Sequence, residues 1–250
     1  MLRICLLLCC LCTAVNCRAE SIDVYCDDWP GFCQKDGKGL YLDLVRAIYQ
    51  PNGYQVIPHI VPYKRALAII AKKGGDIAMG VYRDEVSGVQ QPRYAASADD
   101  LTVFMLKKWQ PQWQGEQSLE GQTVIWQRGW AFDKYITVNM LWHEIDSDEL
   151  ALQLLGKERY RYYLTAGVLY VDEAIPPELH RVFLRWIPTY PIFANTQQGN
   201  RMLQLWDKEM VQLIRSGALA EIYKHYQLYD YYQGFIKELE QKVATSPATE

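Results

Sequence analysis

The chain has 250 residues, with 26 basic against 29 acidic side chains, a formal net charge of −3, and 18 tyrosines and 8 tryptophans. That balance argues against nucleic acid as a partner and against a broad basic field for an anionic membrane. The length allows one large domain or two small lobes, each with a real core.

Residues 1–19 carry one early arginine, Arg3, then an apolar run over 4–11, and close on Cys17-Arg18-Ala19 before Glu20. A basic start with a short apolar core reads as a secretory signal, because a membrane span needs about 20 apolar residues. Cleavage after Ala19 leaves 231 residues with a net charge of −5. Ala14-Val15-Asn16-Cys17 loosely resembles a lipoprotein cleavage site, but Asn16 is a poor residue before the cysteine, and lipid anchoring is not expected. Cys5, Cys9, Cys10, Cys12 and Cys17 leave with the signal, and Cys26 and Cys33 remain. In an oxidising compartment this pair reads as a disulfide closing a small loop, with two free thiols as the alternative.

Residues 21–26 alternate as a short strand with Ile22 and Val24 on one face, broken by Asp27-Asp28-Trp29-Pro30-Gly31. Leu40, Leu44, Ala47 and Ile48 then form a helical stripe that Pro51-Asn52-Gly53 stops. Residues 54–60 read as a strand. Pro62 suits the first turn of a helix carrying Ala66, Leu67 and Ile70 inward, ending at Gly74-Gly75. Residues 76–81 and 101–106 are further apolar strands. Strand and helix alternating in this way predict a mostly parallel sheet covered by helices.

Residues 107–115, with Lys, Trp and Gln around Pro111, read as a crossing into a second unit. There the expected elements are strands over 123–126, 137–145, 160–164 and 180–186, and a short helix over 130–135. Asp146 and Glu149 fit a capping box ahead of a helix carrying Leu150, Leu154 and Leu155. Pro188 and Pro191 mark a boundary. After them Met202, Leu205, Trp206, Met210, Leu213 and Ile214 recur at helical spacing, and Ser216-Gly217 separates that helix from another over 218–226. A helical pair without strands of its own needs a sheet to cover. The predicted organisation is therefore discontinuous: lobe one from 20–107 plus 196–240, lobe two from 110–192, and a flexible tail over 241–250. Two crossings between lobes would make a hinge and a cleft.

The order Val24-Tyr25-Cys26-Asp27-Asp28-Trp29-Pro30, Val61-Pro62-Tyr63-Lys64-Arg65-Ala66 and Gly75-Asp76-Ile77-Ala78-Met79-Gly80-Val81-Tyr82-Arg83 resembles the bacterial extracellular solute-binding proteins of the polar amino acid type. Leu119-Glu120-Gly121-Gln122-Thr123-Val124, Arg128-Gly129 and the segment from Leu213 to Tyr223 continue the resemblance over nearly the whole mature chain. It implies the two-lobed type II periplasmic binding fold and no catalysis. It also implies a monomer that captures a small solute for an inner-membrane ABC permease, or, as the alternative, serves a membrane sensor. No cofactor is implied. Two departures count against a standard α-amino acid as ligand. The family's carboxylate-clamping arginine, about five residues after the tyrosine that Tyr94 resembles, is replaced by Asp99-Asp100. The lobe-two strand that holds its amine-binding aspartate reads Tyr160-Arg161-Tyr162-Tyr163-Leu164-Thr165, without a carboxylate.

Candidate ligand contacts follow from position at strand ends, where parallel sheets present ligand-facing residues. Asp28 and Trp29 follow the first strand, where the indole either stacks on a ligand or packs over the Cys26–Cys33 loop. Tyr63 either reaches the cleft or packs on Pro62. Tyr82 and Arg83 follow the third strand, and the guanidinium either receives a carboxylate or pairs with Asp84 or Glu85. Arg128, Gly129 and Trp130 lie between a strand and a helix start, where backbone N–H groups attract anions. Asn195 and Thr196 are either hinge residues or a helix cap. His59, His143, His180 and His225 are scattered, so no metal site is expected. A hydrolase or lyase using Asp28 or Asp100 is the remaining class.

Overall fold

Strand β1 (Glu20–Cys26) is built from the expected alternation, with Ile22, Val24 and Cys26 fully buried. It pairs in parallel with β2 (Tyr54–Ile60) on one side and β3 (Ile77–Tyr82) on the other. Helix α1 (Leu40–Tyr49) lays Leu40, Leu44 and Ile48 on this sheet, and α2 (Tyr63–Ala71) buries Ala66 and Ile70. The first turn of α2 has no capping side chain of its own, and Asp27 Oδ2 accepts from the Tyr63 N–H at 2.9 Å instead. That bond satisfies one of the donors every helix start leaves open. The computed structural model describes residues 20–128, 130, 132–170 and 175–245. The expected signal over 1–19 and the candidate Gly129 lie outside the described residues.

Two long strands carry the sheet onward. β5 (Ser97–Leu106) and β9 (Leu179–Ala194) pair antiparallel from Ser97↔Thr189 to Leu106↔Leu179. β9 continues along β3, and the two-residue β4 (Val89–Gln90) joins its far end. Beyond β5 come β8 (Tyr162–Ala166), β6 (Thr123–Gln127) and β7 (Leu141–Ile145), with β6 parallel to both β7 and β8. Among the described residues the order is β2-β1-β3-β9-β5-β8-β6-β7. The result is an α/β fold on a mixed sheet: parallel at its two ends and antiparallel where β9 and β5 join them.

Apolar packing divides accordingly. One core joins β1 and α1 to α4 (Gln197–Arg215), α5 (Ala218–His225) and α6 (Tyr229–Ala244) through Met202, Trp206, Tyr223 and Phe235. A second lies between β3, β9 and α2. At the other end, β6 and β8 pack Val124, Trp126 and Leu164 on one face and, with α3 (Asp148–Gly156), Ile125, Tyr163 and Leu155 on the other. The two ends have separate interiors joined by the β5–β9 ribbon, which is the bilobed arrangement.

Several local expectations need correction. Pro188 and Pro191 are not a boundary, since β9 runs through both. Thr189 directs its carbonyl to Ala96 on the β5 side, so the nitrogen of Pro188 faces the β3 side, just beyond the first β3 pair at Tyr82↔Thr189. By the same alternation Pro191 faces the gap between the start of β5 and the Gln90↔Phe193 pair of β4. Each proline thus sits where a ladder donor is not needed. Ser147, not Asp146, caps α3, with its Oγ accepting from Leu150 N–H at 3.2 Å. The helix expected over 130–135 is a single 3₁₀ turn, Phe132–Lys134. The strand expected from 137 starts at Leu141, and the one expected over 160–164 is shifted to Tyr162–Ala166. Residues 241–244 belong to α6, where Val243 is buried, so the start of the expected tail is anchored by packing.

Cys26 and Cys33 are bonded, seven residues apart and both fully buried. The loop they close is pinned by reciprocal backbone bonds between Trp29 and Cys33, each 2.8 Å. Replacing both cysteines with alanine should lower stability by about 2–3 kcal/mol for a loop this short. Urea unfolding without reductant checks that value.

Candidate functional site

The groove between the lobes is built from the C-terminal ends of β1 and β3, the start of α2, and the middle of the β5–β9 ribbon. Trp29, held by the disulfide loop, lies 5.6 Å from the Tyr63 ring and 6.2 Å edge-on from Tyr41. Gly80 makes room for it. This residue has φ +77°, and a Cβ there would fall 2.7 Å from the indole. β3 is irregular at this point, with its register on β9 shifting between Ala78 and Val81. The positive φ and the close approach both require glycine.

Two carboxylates organise the polar side of the groove. Glu85 Oε2 accepts from Tyr63 OH at 2.7 Å and from the Tyr82 N–H at 3.1 Å. Asp99 Oδ2 accepts from Tyr82 OH. Register places Asp99 opposite Ile187, while Tyr82 stands opposite Thr189, whose hydroxyl shares a 2.8 Å hydrogen bond with Tyr41 OH. Across the groove, Tyr135 from lobe two meets Tyr82 edge-on at 5.1 Å between ring centroids. The lobes therefore touch through two phenols beside Asp99. A cavity of about 300 Å³ adjoins this contact, lined by Arg83, Tyr135, Thr137, Arg185, Ile187 and Tyr190 among others.

Burial sets the electrostatics. Desolvation raises Asp99 from the ordinary carboxylate value to about 6, with Asp100 and Glu85 adding to the rise and the Tyr82 hydrogen bond opposing it. Tyr63 and Tyr82 are pushed above their usual range, first by burial and then by Glu85 and Asp99 respectively. Tyr135 rises for the same first reason, with Glu85, Asp84, Asp99 and Asp133 contributing. All three phenols stay protonated at neutral pH, and Tyr63 and Tyr82 act as donors to Glu85 and Asp99.

The sequence-predicted residues separate into two groups. Trp29, Tyr63 and Tyr82 come together in the groove. Arg83 borders it but turns back, its guanidinium 3.7 Å over the Tyr190 ring and donating to Pro92 O at 2.9 Å. Asp28 is exposed and pairs with Lys35 at 2.9 Å. Arg128 is exposed and donates to Asp146 through Nε and Nη2, with Glu144 at 3.6 Å. Trp130 packs edge-on against Phe132. Thr196 caps α4, accepting from Gly199 N–H at 3.0 Å. Asp100 points away from the groove, 1 % exposed, and accepts from Val168 N–H and Tyr231 OH. Sequence reasoning missed Glu85, Asp99, Tyr41 and Tyr135. The signal for Asp99 was present, since an acidic pair stands directly before the expected strand over 101–106. Among the described residues no group of His, Cys, Asp and Glu is arranged to hold a metal.

No protein-family description matches the chain, and no curated protein matches it by sequence. Solved structures do match in fold. The GluR0 ligand-binding core in complex with L-glutamate superimposes with a TM-score of 0.67 at 15 % identity, covering 84 % of this chain and 99 % of that one. A putative binding component of an ABC transporter from Wolinella succinogenes, complexed with lysine, gives 0.65 at 14 % identity, covering 83 % and 95 %. A histidine kinase sensor domain with similarity to periplasmic binding proteins gives 0.64 at 17 % identity, covering 84 % and 96 %. The fold is that of the type II periplasmic binding proteins, and the structural neighbours include amino-acid-binding proteins of ABC transporters.

Two outcomes follow from this geometry. Gly80→Ala should destabilise by about 1–3 kcal/mol through backbone strain and collision with Trp29. Gly53→Ala has the same left-handed backbone in open space and isolates the first contribution; urea unfolding of both variants measures the difference. Asp99→Asn should stabilise the protein at pH 7.5 by about 2 kcal/mol, because ionising the raised carboxyl costs more folded than unfolded. The penalty it removes fades as pH falls from about 6 toward 4. Denaturation at pH 7.5 and 4.5 tests the sign, and a gain that grows on acidification contradicts it.

Proposed function

We propose that this protein captures a small polar solute between its lobes in the periplasm and delivers it to an inner-membrane ABC importer. The observation that carries the proposal is the Tyr82–Tyr135 contact beside Asp99. It joins side chains of both lobes over a buried polar site, on a two-strand ribbon able to act as a hinge. A ligand that touches both lobes binds the closed arrangement better than the open one and shifts the population toward it. The resemblance of residues 24–83 to exported solute-binding proteins, and the ABC-transporter components among the structural neighbours, support the importer as partner. Periplasmic residence rests on the signal-like character of residues 1–19.

The second reading is sensing through a membrane receptor, favoured by the histidine kinase sensor domain and the GluR0 core among the structural neighbours. Deleting the gene separates the two: loss of uptake of the ligand supports transport, whereas intact uptake with loss of a transcriptional response supports sensing.

A bound ligand should raise the unfolding free energy by about 2.7 kcal/mol at a hundred times its Kd, since it binds only the folded state. Thermal shift followed by mass spectrometry of the released compound tests capture directly. Recovery of unchanged compound at one equivalent is the expected result; its conversion to another species replaces capture with catalysis.

A further inference from the structure

Resting on the capture reading, we infer that the solute is an organic cation, a protonated amine or guanidinium seated against Asp99 and Glu85 among Trp29, Tyr63, Tyr82 and Tyr135, with no carboxylate clamped.

Asp99 and Glu85 both bond to Tyr82, one through its hydroxyl and the other through its N–H, beside the interlobe Tyr82–Tyr135 contact, and each accepts from a phenol and retains an oxygen for another donor. The charges acting on Tyr63, Tyr82 and Tyr135 are carboxylates: Glu85, Asp99, Asp84 and Asp133. A site with this field repels an anion and gives up its desolvation penalty only to a positive partner.

The arginines nearby are committed elsewhere. Arg83 is stacked on Tyr190 and bonded to Pro92 O, Arg128 is forked onto Asp146, and Arg185 is paired with Glu116, a carboxylate that also receives the Thr137 N–H. Lys134 lines the groove but stands exposed at its rim. Among the described residues no guanidinium fork therefore faces the Asp99 side.

The aromatic lining completes the match. Trp29 and Tyr63 are tilted against each other at 5.6 Å, and Tyr82 and Tyr135 meet edge-on at 5.1 Å, one ring from each lobe. Ring faces attract a cation within about 6 Å of their centroids, the more so when desolvated. Phenols that remain protonated serve as donors to Asp99 and Glu85, which keeps both carboxylates oriented toward whatever enters.

The inference couples binding to protons. Asp99 is faced by Tyr82 and Glu85 from β3 and its following turn, by Asp100 on its own strand, and at longer range by Tyr41, Tyr63, Tyr135 and Tyr232. A cation binds the ionised form, so with a carboxyl that titrates near 6 affinity should fall about tenfold from pH 7 to pH 5. The protein should also release a proton on binding near pH 6.

The test uses calorimetry on the purified full mature chain with agmatine, putrescine, choline, L-arginine and succinate at millimolar concentration. We expect at least one of the first three to bind, agmatine no weaker than L-arginine, and succinate not at all. Asp99→Asn should weaken the bound cation at least tenfold while the apo protein keeps or raises its Tm, because the amide preserves an acceptor for Tyr82. Should that variant fail to fold, the pH profile of the wild-type protein and Glu85→Gln carry the same test. Binding of L-arginine without agmatine, binding of succinate alone, or silence from all three carboxylate-free cations overturns the inference. Uncharged or anionic ligands that still close the groove would leave solute capture standing, whereas conversion of a probe would end capture and spare the charge preference.

Discussion

The pairing of β5 with β9 is the interaction on which the rest of this structure depends. From Ser97↔Thr189 to Leu106↔Leu179 these two strands are both the seam of the sheet and the connection between two separate interiors. A one-residue slip would invert every side chain along it, sending Asp99 into the packed side and Asp100 into the groove. The register is held at both ends by apolar packing, with Ala98 in the lobe-one core, Leu101, Val103 and Met105 in one lobe-two core and Phe104 and Leu106 in the other. The polar pair in the middle is therefore positioned by the apolar residues around it.

The two aspartates show how position decides chemistry. Asp100 is enclosed by Tyr231 from α6, the Val168 N–H of lobe two and Thr102 of its own strand. It ties the β5–β9 ribbon to elements of both lobes and is inaccessible to a ligand. Asp99, one residue away and on the other face, has a phenol as its hydrogen-bonding partner and lies beside the Tyr82–Tyr135 contact between the lobes. Burial disfavours its ionised form and works against stability. A desolvated carboxylate with a specific partner marks Asp99 as a candidate functional residue.

The floor of the groove follows from the same kind of constraint. Trp29 stands where it does because the Cys26–Cys33 bond and two backbone hydrogen bonds hold its loop, and because Gly80 leaves space for the indole. Tyr63 is brought alongside by Asp27, which anchors the start of α2. Disulfide, glycine and helix anchor together set the aromatic wall on which the ligand would rest.

The sequence by itself determined the elements whose periodicity is strong and whose partners are near in the chain. The β1–α1–β2–α2–β3 order, the helical stripe from Met202 to Ile214, the stop at Gly217, the Cys26–Cys33 pair, and the aromatic character of Trp29, Tyr63 and Tyr82 all belong here. It misread β9, because Pro188 and Pro191 look like breakers until the neighbouring strands are known to leave their nitrogens without ladder partners. It also could not assign Glu85, Tyr135 or the true direction of Arg83 and Arg128. Those depend on contacts between residues up to 107 positions apart, such as Arg83 with Tyr190, and on which surface acid reaches an arginine first. Only the tertiary structure decided the charge of the groove, because the net field of a site is a sum over residues that no local pattern brings together.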